Sequence, residues 1–166
     1  MARLVLVGLP GVGKSTVARA LAQVWRCDVL DTDEVLAANV GSSAAQYLRE
    51  HGEPSFRERE LEALREALRG DAIVATGAGI VTTSAAREVL VDQRVLWLDV
   101  DDEILLDRVV GGERPLLGEN HREALEKLRT QREAWYQLCA GERLDASGSI
   151  DEVVRRIVER IESVSP

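Results

Sequence analysis

Gly8-Leu9-Pro10-Gly11-Val12-Gly13-Lys14-Ser15-Thr16 carries the strongest structural signal in the chain, because it fills the pattern G-x-x-x-x-G-K-[ST] completely. The apolar run Leu4-Val5-Leu6-Val7 precedes it, and a helical pattern follows it. A strand, this loop and a helix in that order are the context in which the pattern binds a polyphosphate. The stretch therefore predicts a nucleotide-binding loop. The alternative is a glycine-rich turn that binds nothing.

Each part of this loop has an expected role. The backbone N–H groups of Gly11-Val12-Gly13 point inward at the phosphates of a nucleotide, and the following helix adds the positive end of its dipole. Lys14 reaches the β- and γ-phosphates, the hydroxyl of Ser15 binds Mg²⁺, and Thr16 completes the nucleotide-binding segment. The chain has 21 lysine and arginine residues, and only Lys14 and Lys127 are lysines, which argues for a specific role of the lysine in the loop.

Length and composition are those of a single domain over residues 1–166. A net charge of −8 opposes nucleic-acid binding, and no apolar stretch approaches the ~20 residues that cross a membrane. Cys27 and Cys139 are too few for a disulfide scaffold, so we expect free thiols in a reducing compartment. The first predicted strand begins within a few residues, so we expect no signal peptide. We therefore expect a cytoplasmic monomer that binds small molecules, with no nucleic-acid or membrane partner.

Apolar runs alternate with helical patterns along the chain, which is typical of a parallel sheet covered by helices on both faces. The predicted strands are 4–7, 29–30 with its flanks, 72–75, 95–100 and a weaker one at 143–146. The predicted helices are 16–24, 34–40, 44–51, 54–69, 84–90, 102–109, 122–140 and 150–163. Ser149 and Glu152 form a capping box at the start of the last helix. The pattern predicts an α/β fold in three layers.

Ligands of an open parallel sheet bind beyond the carboxyl ends of its strands. Asp31-Thr32-Asp33 follows the second predicted strand, and Gly77-Ala78-Gly79 follows the third. Asp31 is placed to hold Mg²⁺ through water, and Asp33 to orient or deprotonate a hydroxyl, although Asp33 could instead cap the next helix. The two glycines either let the backbone approach a ligand or supply a turn with positive φ.

Two predicted helices carry an arginine on their apolar face. Arg57 lies one turn before the stripe Leu61, Leu64, Leu68, and Arg132 lies within the stripe Leu125, Leu128, Trp135, Cys139. A guanidinium rarely faces inward without a partner, and its fork matches a carboxylate or a phosphate. The alternative is a structural ion pair with a carboxylate such as Glu60. Since two such arginines occur, we expect an anionic substrate.

Residues 111–121 contain three glycines, one proline and little periodicity, so they predict a mobile lid. Closure of the lid would bring Arg114 onto the phosphates. The alternative is a solvated loop in which Arg114 has no role. Arg108 precedes the lid, and it could lie against the nucleotide base or be a solvated helix residue.

Together these motifs resemble the shikimate kinase family, and the resemblance covers nearly the whole chain in order. It is carried by the loop at 8–15, Asp31-Thr32-Asp33, Gly52-Glu53-Pro54-Ser55-Phe56-Arg57-Glu58-Arg59-Glu60, Gly77-Ala78-Gly79, Arg114-Pro115-Leu116-Leu117 and Arg132. The resemblance implies ATP-dependent phosphorylation of the 3-hydroxyl of shikimate, in aromatic amino-acid biosynthesis. It also implies a P-loop kinase fold similar to nucleoside monophosphate kinases, with sheet order 2-3-1-4-5 and a substrate-binding helical segment at about 33–61.

By the same resemblance, Asp33, Arg57, the glycine triplet and Arg132 hold shikimate, with the arginines on its carboxylate. Gly77-Ala78-Gly79 departs from the family's three consecutive glycines, which leaves open whether the substrate differs. We expect negative φ at Ala78, with the flanking glycines available for special dihedrals. The loop 146–149 also lacks the arginine and proline often seen beside the adenine.

Other functions stay open at this point. One alternative is a P-loop kinase for another small polyol or acid, or for a nucleoside monophosphate. An alternative from a different class is a non-catalytic, nucleotide-binding regulatory module. A degenerate relative would be expected to lose Lys14 or Asp33, and both are present. The chain also has no Asn-Lys-x-Asp segment of the kind that reads guanine.

Overall fold

Five parallel strands form the central sheet of the computed structural model, which describes residues 1–110 and 120–163. The strands are β1 (Leu4–Val7), β2 (Val29–Asp31), β3 (Ile73–Ala75), β4 (Val95–Asp99) and β5 (Glu142–Asp145). Their order in the sheet is β2-β3-β1-β4-β5, so β1 is central and pairs with β3 on one side and β4 on the other. The predicted strands and their order are confirmed.

Seven α-helices connect and cover these strands in the described part of the chain. They are α1 (Lys14–Trp25), α2 (Thr32–Val40), α3 (Ala44–Ala67), α4 (Ser84–Val91), α5 (Asp102–Val110), α6 (His121–Cys139) and α7 (Ile150–Ser163). Within α3, Gly52 has φ 79° and ψ 169°, which interrupts the helix between the two segments predicted at 44–51 and 54–69. A 3₁₀ helix at Ile80–Thr82 was not predicted, because three residues are too few to show a period.

Helices lie on both faces of the sheet and bury its strands. α1 packs against α7 and against β2 and β3, whereas α6 packs against β4, α4 and α5. All residues of β1, β3 and β4 are buried, as expected for a parallel sheet covered on both faces. A second, smaller apolar cluster joins α2 to α3 through Leu36, Tyr47, Phe56 and Ala63. The helical segment near the predicted substrate site therefore has its own small core.

Local geometry explains the residues found after β1 and at the start of α7. Gly8 ends β1 with φ 150°, and a Cβ there would lie 2.4 Å from the carbonyl oxygen of Leu98, so glycine is required. The capping box at the start of α7 is confirmed. Glu152 Oε2 accepts from the N–H of Ser149 at 2.7 Å, and Ser149 Oγ accepts from the N–H of Glu152 at 3.3 Å. Among the described helices, none combines the length and the apolar character needed to cross a membrane.

Candidate active site

A cavity of about 610 Å³ opens where β1, β2 and β3 end. Loops that are far apart in sequence meet in its wall, because parallel strands bring their carboxyl ends to one edge of the sheet. The lining residues that matter for function are Gly11, Gly13, Lys14, Ser15, Thr16, Asp31, Asp33, Arg57, Glu60, Gly77, Ala78, Gly79 and Arg132. Most of the site residues predicted from the sequence therefore lie around one cavity.

The phosphate loop joins β1 to α1, and Lys14 is buried at its end. Lys14 Nζ donates to the carbonyl oxygen of Gly8 at 2.9 Å and to that of Leu9 at 3.0 Å. These bonds hold the ammonium group against the backbone at the start of the loop, and Lys14 as a whole is 8% exposed. Ser15 Oγ donates to Asp31 Oδ2 at 2.5 Å, so the two residues predicted to hold Mg²⁺ lie together. Asp31 is the last residue of β2, and Ser15 lies in the first turn of α1.

Asp31, and not Asp33, caps α2. The Asp31 carboxylate accepts from the N–H of Asp33 at 3.0 Å, and its backbone is extended, as is usual for an N-cap residue. The alternative interpretation of Asp33 as the cap is therefore wrong. The carboxylate of Asp33 instead lies beside the third strand's loop, since a Cβ on Gly77 would be 2.8 Å from Asp33 Oδ1. This places a carboxylate at the cavity wall, close to the phosphate loop.

Arg57 faces inward on α3 and forms an ion pair with Glu60. The structural ion pair considered as the alternative role for this arginine is therefore present. Arg57 Nη1 is 2.7 Å from Glu60 Oε2, and Glu60 is only 3% exposed. Burial raises the pKa of the Glu60 carboxyl, and the charge of Arg57 acts against this increase. A second carboxylate, Glu53, lies 3.2 Å from Arg57 Nη2 but is exposed. The pair fixes the guanidinium while it still lines the cavity.

Gly77 and Gly79 do not supply a turn with positive φ, which was one of the two alternatives predicted for them. Neither has positive φ, and Gly79 has φ −89° and ψ −1°. A Cβ on Gly79 would lie 2.5 Å from Arg57 Nη1, and a Cβ on Gly77 would approach both Asp33 and Glu60 within 3.0 Å. The expectation of special dihedrals is therefore wrong. The loop lacks side chains at these positions because charged side chains lie against its backbone.

Ala78 has negative φ, as predicted, because Arg26 is the one non-glycine residue with positive φ in the described ranges. Its carbonyl oxygen accepts from Arg132 Nη1 at 3.0 Å and from Tyr136 Oη at 2.7 Å. Arg132 projects from α6 and lines the same cavity as Arg57, which lies on α3. The inward orientation predicted for both arginines is thus confirmed.

Arg108 is half-buried on α5 and is not a solvated helix residue. Its Nη1 donates to the carbonyl oxygen of Val12 at 3.1 Å, and its Nη2 donates to that of Ala146 at 3.0 Å. Arg108 therefore joins the phosphate loop to the loop after β5. Its contact with a nucleotide base stays a prediction. Arg114 and positions 111–119 of the predicted lid lie outside the described residues, whereas Asn120 caps α6 through the N–H of Glu123.

Comparison with known proteins assigns the family. A model of the family described as shikimate kinase matches residues 10–162. The chain belongs to the shikimate kinase family. It is 41% identical over 137 residues to the shikimate kinase of Corynebacterium jeikeium, covering 81% of this chain and 74% of the relative. It is 36% identical over 165 residues to the shikimate kinase of Corynebacterium efficiens, covering 96% of both chains.

A solved structure agrees with this assignment. The structure of the shikimate kinase from Acinetobacter baumannii in complex with shikimate superposes with a TM-score of 0.89, at 32% identity, over 96% of this chain and 92% of that one. The P-loop kinase fold predicted from the sequence is therefore confirmed. Since the family consists of ATP-dependent kinases, the alternative of a non-catalytic regulatory module is wrong.

Three residues that organise the site of this shikimate kinase family member had no predicted site role: Thr32, Tyr136 and Glu60, of which Glu60 was considered solely as the partner of a structural ion pair. Thr32 Oγ1 accepts from the N–H of Gly77 at 2.9 Å. Glu60 holds the guanidinium of Arg57, and Tyr136 holds the carbonyl of Ala78. Two of them had a detectable signal. Glu60 lies three residues after Arg57, and Tyr136 lies four residues after Arg132, so each shares a helix face with its arginine. Thr32 had no such signal, because its partner is distant in sequence.

Lys14→Ala should abolish most of the kinase turnover and leave the fold intact. The ammonium group acts on charge that develops at the phosphates, so we expect kcat to fall by about 10²-fold or more. Lys127→Ala is the matched control, because Lys127 is exposed on α6. Steady-state kinetics and circular dichroism on both variants test this. Near-parental turnover of Lys14→Ala would contradict the assignment of the phosphate loop.

Ala78→Gly should change kcat/KM for shikimate by no more than a few-fold, well below the ~1.4 kcal/mol of a tenfold change. Since φ is negative at Ala78, the methyl group causes no backbone strain, and the carbonyl keeps its two donors. The measurement is steady-state kinetics with shikimate varied at saturating Mg-ATP. A nearly inactive parent and a gain of a hundredfold in the variant would show that this methyl group excludes shikimate.

Proposed function

We propose that this protein transfers the γ-phosphoryl group of ATP to the 3-hydroxyl of shikimate. The observation that carries the proposal is that Arg57 and Arg132 line the same cavity as the phosphate loop. Two cations beside a nucleotide site fit a small substrate with a carboxylate. The family assignment and the shikimate bound to the A. baumannii relative support the same substrate.

The substrate side of the cavity is built from α3, α6 and the loop after β3. Arg57 would bind the carboxylate of shikimate, with its orientation held by Glu60 at 2.7 Å. Arg132 would bind the same carboxylate from α6. Asp33 lines the same cavity as these arginines and the phosphate loop, and it would receive the proton of the reacting hydroxyl. The absence of a Cβ at Gly77 and Gly79 lets the charged groups of Asp33, Glu60 and Arg57 lie against the loop backbone on this side of the cavity.

The nucleotide side uses the backbone of the phosphate loop and Lys14. Lys14 Nζ donates hydrogen bonds to two backbone carbonyl oxygens, at 2.9 and 3.0 Å. When ATP binds, oxygens of the β- and γ-phosphates would replace these carbonyl oxygens as acceptors. Ser15 and Asp31 are paired oxygen donors of the type that Mg²⁺ prefers, so they fit that ion, Asp31 through water. When bound, Mg²⁺ would neutralise charge on the phosphates. Arg108 would lie near the base, because it donates to the phosphate loop at Val12 and to the loop after β5 at Ala146.

The transfer step follows from these positions. Asp33 accepts the proton of the 3-hydroxyl, the hydroxyl oxygen forms a bond to the γ-phosphorus, and the bond to the bridging oxygen breaks to release ADP. Lys14 and the loop amides stabilise the negative charge that develops on the phosphoryl oxygens. Arg114 would add a further positive charge from the lid, and closure of the lid would exclude water that otherwise hydrolyses ATP.

We further propose that residues 1–166 act as one domain, as a monomer in the cytoplasm. Support for one domain comes from the main hydrophobic core, to which side chains from all five strands contribute. Size-exclusion chromatography with light scattering tests the monomer, and a stable dimer at working concentration would contradict it.

A substrate panel tests the proposed reaction against the alternative of another small-molecule kinase. ADP release would be measured with shikimate, quinate, gluconate and nucleoside monophosphates, each varied at saturating Mg-ATP. The proposal predicts that kcat/KM is highest for shikimate. A higher value for gluconate or for a nucleoside monophosphate would contradict it and favour the alternative.

Arg57→Ala and Arg132→Ala should each weaken shikimate binding far more than ATP binding. Truncating one member of a buried charge pair costs roughly 2–5 kcal/mol, so we expect a large rise of KM for shikimate and little change for ATP. Arg59→Ala is the control, because Arg59 is an exposed arginine on the same helix, paired with Glu62. A lower melting temperature with unchanged shikimate affinity would instead make both arginines purely structural.

A further inference from the structure

Tyr136 is a buried polar side chain to which the proposed reaction assigns no role. It lies one turn beyond Arg132 on α6 and is 1% exposed. Its ring stacks on Trp97 of β4, with 5.8 Å between ring centroids. The packing fixes the ring, so its hydroxyl has a defined direction. That direction is towards the Ala78 carbonyl, at 2.7 Å.

The Ala78 carbonyl has two acceptor positions, and two side chains of α6 donate to it. Tyr136 Oη lies 2.7 Å from the carbonyl oxygen, and Arg132 Nη1 lies 3.0 Å from it. Of these two donors, Arg132 lines the cavity, whereas Tyr136 does not. The tyrosine therefore contacts the loop after β3 without lining the cavity. It is placed to hold the peptide that links Ala78 to Gly79.

A carboxylate bound through Arg132 Nη1 would compete with this carbonyl for the guanidinium. A half-buried carbonyl such as that of Ala78 is destabilised when it loses a donor without replacement, and this cost would count against substrate binding. With Tyr136 in place, the carbonyl keeps its shorter hydrogen bond when the guanidinium turns to the substrate. Burial raises the pKa of Tyr136 to about 12, so the hydroxyl stays protonated and remains a donor at neutral pH.

We propose that Tyr136 is a positioning residue for the acid substrate, which holds the Ala78 carbonyl so that Arg132 is free to bind the carboxylate. The inference rests on the proposed function, because it takes shikimate as the acid. It assigns to Tyr136 no contact with shikimate or with ATP. Its effect is on the loop after β3 and on the arginine that shares the carbonyl.

Tyr136→Phe tests this inference, because phenylalanine keeps the ring on Trp97 and removes only the hydroxyl. We expect KM for shikimate to rise about tenfold, with KM for ATP and kcat each within about twofold of the parent. Trp135→Phe is the matched control. Trp135 is the adjacent aromatic residue on α6 and contacts Arg87, with 5.0 Å from Arg87 Cζ to the ring centroid, and it should leave both KM values unchanged.

The outcomes separate this inference from the proposed function. A parent that does not phosphorylate shikimate overturns both. An active parent whose Tyr136→Phe variant keeps the parental KM for shikimate overturns the inference alone. A variant that does not fold, or in which both KM values rise together, shows that the hydroxyl serves the fold and also overturns the inference. A rise confined to the KM for shikimate, absent in Trp135→Phe, supports it.

Discussion

The ion pair between Arg57 and the buried carboxylate of Glu60 is the constraint on which the substrate side of the site depends. Removing an ionised carboxylate from water costs several kcal/mol, so Glu60 at 3% exposure requires a close cation. Arg57 supplies it at 2.7 Å. The pair therefore fixes the guanidinium against the backbone of the loop after β3. The arginine expected to bind the substrate is thus oriented before the substrate arrives.

The same constraint explains the composition of the loop that faces Arg57. A side chain at Gly79 would collide with the guanidinium, and a side chain at Gly77 would collide with Asp33 and Glu60. Ala78 has negative φ, so its methyl group causes no backbone strain, and its carbonyl is held by two donors. The loop is therefore shaped by the charged groups around it more than by its own dihedral preferences. This accounts for an alanine between two glycines.

Much of the fold was predictable because its signals are local. The phosphate loop, the alternation of strands and helices, and the two inward arginines follow from motif and period. The strand order came from the resemblance to a family. The burial of Glu60 and the shared Ala78 carbonyl depend on contacts between distant segments, so composition and period do not reveal them. The alternative that Asp33 caps α2 was wrong because Asp31 and Asp33 both precede a helical pattern, and only the backbone geometry separates them.

The most direct test of the account is the affinity for shikimate and for its methyl ester, measured by calorimetry on the parent protein without nucleotide. The ester keeps the ring and the hydroxyls but loses the negative charge that Arg57 and Arg132 are proposed to bind. The account predicts that the ester binds at least about 30-fold more weakly, the equivalent of the ~2 kcal/mol lower bound for losing a buried charge partner. Equal affinity for the acid and the ester would contradict it.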